Sequence, residues 1–251
     1  MEQAIRDFPK QFEFEPVVEH ADTLRQMGAV IVSGMGGSHL AADLLKGVYK
    51  DLRLIVHSDY GLPPMREDDL QKYLFIASSY SGDTEEVLDG LKEARKKGVA
   101  AAAIAVGGRL EEIAREYNIP FIKLPDTDIQ PRFALGFSVL ALMQLMGLEQ
   151  ELESVHRLSY ILDAEQIEPQ GKKLADQVRE SIPIIYASRR NEAVAYNWKI
   201  KCNETGKIPA FYNVFPELNH NEMTGFDVVE KTRGLSEMFH FIFLRDAEDD
   251  V

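Results

Sequence analysis

Cysteine is almost missing from this chain. Cys202 is the single one in 251 residues, which excludes an internal disulfide framework. The six histidines are scattered, without the Cys/His spacing of a zinc site. Basic residues are scarce beside acidic ones, 28 Lys and Arg against 41 Asp and Glu, for a net charge of −13. That balance excludes a non-specific binder of nucleic acid or of an anionic membrane, since both need clustered cations to displace counterions. Long apolar runs are lacking too: none approaches the ~20 residues that span a bilayer. Met1 to Glu15 alternates charged and apolar residues and does not read as a signal peptide, so the expected location is the cytoplasm. With 45% hydrophobic residues, the chain can still bury a full core.

What is present is a strand–helix alternation. Ala29 to Ser33 reads as a strand, His39 to Tyr49 as a helix, and Leu52 to His57 and Tyr73 to Ala77 as strands. Glu85 to Lys97 follows as a helix, Val99 to Val106 as a strand, Leu110 to Tyr117 as a helix and Ile119 to Leu124 as a short strand. Short β-branched runs between helices predict a parallel sheet covered on both faces, a doubly wound unit ending near Pro125. From Phe133 to about Glu180 the spacing turns helical, with Leu135, Val139 and Leu142 on a stripe suited to core packing and connection.

A second alternation then opens: strand Ile182 to Tyr186, helix Glu192 to Asn203, strands Ile208 to Tyr212 and Phe239 to Leu244. Its order and spacing match the first, which predicts a duplicated α/β unit. The expected fold class is α/β, with two doubly wound parallel-sheet units in three αβα layers. The expected domains are a first unit over 1–125, a helical connection over 126–180 and a second unit over 181–251. After Leu244 only the acidic stretch 245–251 remains, so the second unit is expected to be incomplete at its C-terminal end, with a bare sheet edge.

Two turns carry chemistry. Ser78-Ser-Tyr-Ser-Gly-Asp-Thr-Glu-Glu86 joins a strand to a helix and sets Ser79, Ser81 and Thr84 where the first helical N–H groups are unpaired, an arrangement suited to phosphate. An ordinary N-cap by Asp83 or Thr84 uses the same residue types. Ser33-Gly-Met-Gly-Gly-Ser38 is a glycine loop that lets backbone approach a ligand. It matches only part of a dinucleotide fingerprint, and His57-Ser58-Asp59 stands where the acidic residue belongs, which argues against a nicotinamide cofactor. Both turns lie at carboxyl ends of parallel strands and can share one crevice.

With Gly36-Gly37-Ser38 and Ser79-Tyr80-Ser81-Gly82-Asp83-Thr84, the chain resembles the SIS (sugar isomerase) family. Pro131-Arg132, Asn203-Glu204 and Pro216-Glu-Leu-Asn-His-Asn-Glu222 are similar to the dual-specificity phosphoglucose/phosphomannose isomerases of archaea and some bacteria. The resemblance implies a sugar-phosphate substrate held by Gly36, Gly37, Ser38, Ser79, Ser81 and Thr84. It implies Glu204 as the base that moves a proton between C2 and C1 through a cis-enediol. It makes His220 the group that opens the sugar ring, for which an imidazole is suited near neutral pH, and Arg132 the stabiliser of the enediolate oxygen. Neither metal nor organic cofactor is implied.

The resemblance also implies a homodimer in which His220 reaches the partner's site, and a lysine in a last helix that these 251 residues do not contain. Lower turnover of this chain is therefore expected. Taken alone, Glu204 is a solvated helix-end carboxylate, His220 a surface or capping residue and Arg132 an exposed ion-pair member. The alternative function is a non-catalytic phosphosugar-sensing module, which would need the phosphate loops but neither Glu204 nor His220.

Overall fold

Six strands, β1 (Val18–Glu19), β2 (Val30–Ser33), β3 (Leu54–His57), β4 (Leu74–Ser78), β5 (Ala100–Ala105) and β6 (Phe121–Lys123), form one sheet in the order β1-β6-β5-β4-β2-β3. Neighbours from β6 to β3 are parallel, and β1 is antiparallel to β6. β1 has no counterpart in the sequence reading, because two residues carry no readable period. The longer helices of this region are α1 (Leu40–Val48), α2 (Glu85–Lys96), α3 (Gly108–Tyr117), α4 (Leu135–Leu145) and α5 (Glu149–His156).

Strand residues divide by parity between two cores, as a pleated strand requires. Val30, Val32, Leu74, Ile76, Ala102 and Ile104 pack with α1 and α4. Ile31, Phe75, Ala77, Ala103 and Ala105 pack on the opposite face with α2 and α3. The strands read as continuous apolar runs because both faces are covered. α4 is buried nearly all round, from Gly136 and Phe137 to Met143 and Leu145, which is why its sequence shows little polar relief.

The computed structural model describes residues 1–227 and 229–249. It divides into two compact units, Met1–Glu165 and Gln166–Val251. Of the expected helical stretch 126–180, α4 and α5 belong to the first unit, while α6 (Ala164–Val178) begins at the division. Residues 250 and 251 of the acidic stretch lie outside the described residues. Among the described residues no helix is long and apolar enough to cross a membrane.

In the second unit β7 (Ile182–Ser188), α7 (Glu192–Lys201), β8 (Phe211–Phe215) and β9 (Phe239–Leu244) give a parallel sheet of order β8-β7-β9. That order repeats β3-β2-β4, the centre of the first sheet. Ile185 and Ala187 pack with Ala195 of α7 and with Ala210. Ile184 and Tyr186 face the other way, onto Leu218, Phe226 and Phe241. β8 starts three residues later than the expected Ile208 to Tyr212. Lys207 is left-handed, with φ 55°, and Pro209 has no N–H for a ladder, so pairing begins only beyond Ala210.

Candidate functional site

The chain leaves β2 for β3 on one side and resumes at β4 on the other, so the first sheet reverses its winding between β2 and β4. Open parallel sheets bind ligands beyond the carboxyl ends of strands at such a switch point. Both motif turns emerge there. Gly36–Ser38 forms a single 3-10 turn ahead of α1, and Gly36 takes φ 54°.

Ser38 ties the two turns together. Its carbonyl oxygen accepts the Ser78 Oγ hydrogen at 2.8 Å, and its Oγ accepts the Tyr80 N–H at 3.3 Å. Ser79 is only 1% exposed; its Oγ accepts the Gly82 N–H at 3.1 Å and lies 2.7 Å from Thr84 Oγ1. Ser81 Oγ accepts the Asp83 N–H at 3.2 Å. A hydroxyl has one hydrogen and two lone pairs. With Ser79 donating to Thr84, the Thr84 and Ser81 hydrogens remain to be given to an anion at the start of α2. Ser79 thus shapes the turn and orients Thr84.

Gly82 is required by contact as well as by conformation. At φ 83° it is left-handed, and a Cβ there would lie 1.8 Å from the Gly107 carbonyl oxygen. The turn before α3 is therefore locked against the hydroxyl turn, with Val106 N–H on Tyr80 O and Leu110 N–H on Gly82 O, both at 2.9 Å.

Arg132 belongs to the same place. It lies in the 3-10 turn Pro131–Phe133, whose backbone abuts the glycine loop: a Cβ on Gly37 would be 3.5 Å from Arg132 Cα. Its guanidinium carbon stands 4.9 Å from the centroid of the Phe133 ring. Buried Gln11 holds this turn, its Nε2 donating to Phe133 O at 2.6 Å and its Oε1 accepting the Gly136 N–H at 2.9 Å. Sequence reasoning missed Gln11, since one glutamine in a charged N-terminal segment carries no local signal.

The first unit therefore gathers Gly36, Gly37, Ser38, Ser79, Ser81, Thr84 and Arg132 at one end of its sheet. In the second unit, Glu204 is exposed within a π-helical turn, Cys202–Gly206, that prolongs α7. Such bulges collect at functional sites, and an expected plain helix end did not anticipate this one. His220 is exposed in the segment after β8. Because α7 runs from the carboxyl end of β7 back to the amino end of β8, Glu204 and His220 flank opposite ends of β8. The five residues of β8 put roughly 13 Å of strand between the two edges. The two residues thus stand at opposite edges of the second sheet.

Residues 167–251 match the family model described as the bacterial phospho-glucose isomerase C-terminal SIS domain. Over 237 residues the chain is 38% identical to the bifunctional phosphoglucose/phosphomannose isomerase of Caldicellulosiruptor bescii, covering 88% of this chain and 68% of that protein. It is 30% identical to the enzyme of the same name from Aquifex aeolicus, covering 98% of this chain and 75% of that one. Among solved structures, the C-terminal domain of glucosamine-fructose-6-phosphate aminotransferase from Francisella tularensis shares the fold, with a TM-score of 0.66 at 14% identity over 99% of this chain and 72% of that one.

Proposed function

This chain belongs to the bifunctional phosphoglucose/phosphomannose isomerase family, and on that premise we propose that it interconverts glucose 6-phosphate and mannose 6-phosphate with fructose 6-phosphate. The observation that carries the reading is the pair of turns at the switch point, bonded through Ser38, with the Ser81 and Thr84 hydroxyls at the start of α2. They form an anion cradle on a scaffold whose own net charge is −13, so selection of a phosphate has to be local. On this reading 1–125 holds the phosphate, 126–180 connects, and 181–251 supplies the proton-transfer groups.

Binding through the remote phosphate positions C1 and C2 for the reaction. His220 donates a proton to the ring oxygen as the C1–O5 bond breaks, and loss of the O1 proton yields the aldehyde. Glu204 then removes the C2 proton. The C–H electron pair forms the C1=C2 double bond, and negative charge develops on O1 beside Arg132. Return of the proton from Glu204 to C1, with transfer of the O2 proton to O1, leaves the ketone at C2 and a hydroxyl at C1. Glucose and mannose phosphates differ only at C2 and converge on the same enediol. Each step is a proton transfer, for which side chains suffice without metal or organic cofactor.

The separation of Glu204 and His220 along β8 supports a homodimer in which each site takes Glu204 from one chain and His220 from the other. The proposed location is the cytoplasm. Glu204→Gln tests the base: exchange of the C2 hydrogen with deuterated water should vanish while phosphosugar binding persists. Exchange at the unmodified rate would remove Glu204 from the mechanism.

A further inference from the structure

His220 is exposed, yet its segment is pinned on both sides. Two residues before it, Leu218 is fully buried against Ile184 and Tyr186. Two residues after it, Glu222 reaches back into the sheet. Its Oε1 accepts the Tyr186 hydroxyl at 2.7 Å, and its Oε2 accepts from the Asn213 side-chain amide. Tyr186 lies in the middle of β7 and Asn213 in β8, so one carboxylate bolts the segment to two strands.

Both donors are fixed in that role. Asn213 Oδ1 already accepts the Val214 N–H at 2.8 Å, which turns its NH₂ group toward Glu222. Tyr186 is fully buried among the rings of Phe215, Phe241 and Phe243. Burial, then the hydrogen bond to Glu222 and its charge, push the phenol far above its ordinary range, so it stays a donor. Between the anchors the backbone is also closed locally, with His220 N–H on Glu217 O at 3.0 Å and Gly225 N–H on Glu222 O at 3.0 Å.

We propose that Glu222 is a positioning residue for ring opening: held by Tyr186 and Asn213, it fixes the place from which His220 meets the ring oxygen. The assignment rests on the isomerase reading above for its chemistry, though not for its geometry. A carboxylate spent on two buried-side donors is not itself a proton carrier, so Glu222 acts through His220. Conservative replacement should then succeed. A glutamine keeps the length of the side chain and accepts from Asn213 through Oε1, leaving only the Tyr186 hydroxyl without its acceptor, whereas alanine leaves both donors unmatched.

The test compares E222Q and E222A in the full-length protein. Opening and reclosing the ring interconverts the anomers of glucose 6-phosphate without touching C2, and exchange spectroscopy reads that step alone. E222A should slow catalysed anomerisation tenfold or more, while the affinity for open-chain 6-phosphogluconate stays within threefold; E222Q should remain within threefold of the unmodified rate. The ring Cε1–H signal of His220 should move toward that of an exposed, unrestrained histidine in E222A and stay in place in E222Q. Equal loss of anomerisation and of 6-phosphogluconate binding, or an E222Q as slow as E222A, overturns the proposal. An unmoved His220 signal in E222A overturns it as well. If the unmodified protein fails to catalyse anomerisation, the isomerase reading falls, and the His220 signal still decides the positioning claim.

Discussion

Gly82→Ala probes the lock that holds the proposed phosphate cradle. Any L-residue at φ 83° enters the left-handed region, which costs about 1–2 kcal/mol. The added methyl would meet the Gly107 carbonyl oxygen at 1.8 Å, whereas real contacts do not fall below 3.0 Å, so the two turns have to part by ~1 Å or more. Parting them strains or breaks the Val106–Tyr80 and Leu110–Gly82 backbone bonds, each worth about 1 kcal/mol. The expected loss is about 3–4 kcal/mol, which for a unit of this size lowers the melting temperature on the order of 10 °C. A cradle displaced by that much should also lose affinity for phosphorylated sugars, by about 1–3 kcal/mol for each charge-assisted bond it gives up. Denaturant unfolding and sugar-phosphate titration measure both, with Gly171→Ala as control: it lies inside α6 with nothing near its would-be Cβ and should stabilise by about 1 kcal/mol. A Gly82→Ala protein within about 1 kcal/mol of the unmodified one, with unchanged phosphosugar affinity, would refute the lock and the site built on it.

Removing the Ser81 or Thr84 hydroxyl should weaken phosphosugar binding by about 1–3 kcal/mol per charge-assisted bond, with unphosphorylated glucose binding negligibly throughout; a soaked phosphosugar analogue seated elsewhere would contradict this. Glu204→Gln and His220→Ala chains, each inactive alone, should recover about a quarter of full activity when mixed at random, because each heterodimer keeps one intact site; no recovery despite confirmed subunit exchange argues against shared sites. The Tyr186 phenol titrates higher folded than unfolded, so the stability it lends is complete below about pH 10, the unfolded value, and is lost as pH rises toward the folded value. Tyr186→Phe should therefore flatten the alkaline fall in stability, and denaturant midpoints above pH 10 that decline identically in both proteins would exclude the effect.

The five parallel strands of the first sheet were legible to within two residues at each end, since they are apolar runs bounded by turns, and a parallel sheet covered on both faces demands such runs. The glycine loop and hydroxyl turn were legible for a related reason: left-handed backbone and an open helix start restrict residue type within a few positions. What stayed hidden depends on long-range pairing. Gln11 acts on Phe133 and Gly136, and nothing near it in sequence announces that. β8 slid three residues because Pro209 and left-handed Lys207 outweighed the β propensity of Ile208.

The placement of Glu204 and His220 joins the legible part to the hidden one. Both could be singled out by motif, but their relation is set by direction: α7 returns the chain to the amino edge of the sheet before β8 carries it forward again. A strand between two residues reverses which edge each one serves. Motifs that look adjacent, sixteen positions apart in the chain, therefore serve opposite ends of one unit. On the proposed mechanism, two proton-transfer groups on opposite edges would act on one sugar through a second copy of the chain that supplies one of them. The Glu222 anchor fits the proposed arrangement, because a residue that worked in a neighbouring site would not be positioned by its own chain's substrate and would be held by its own fold.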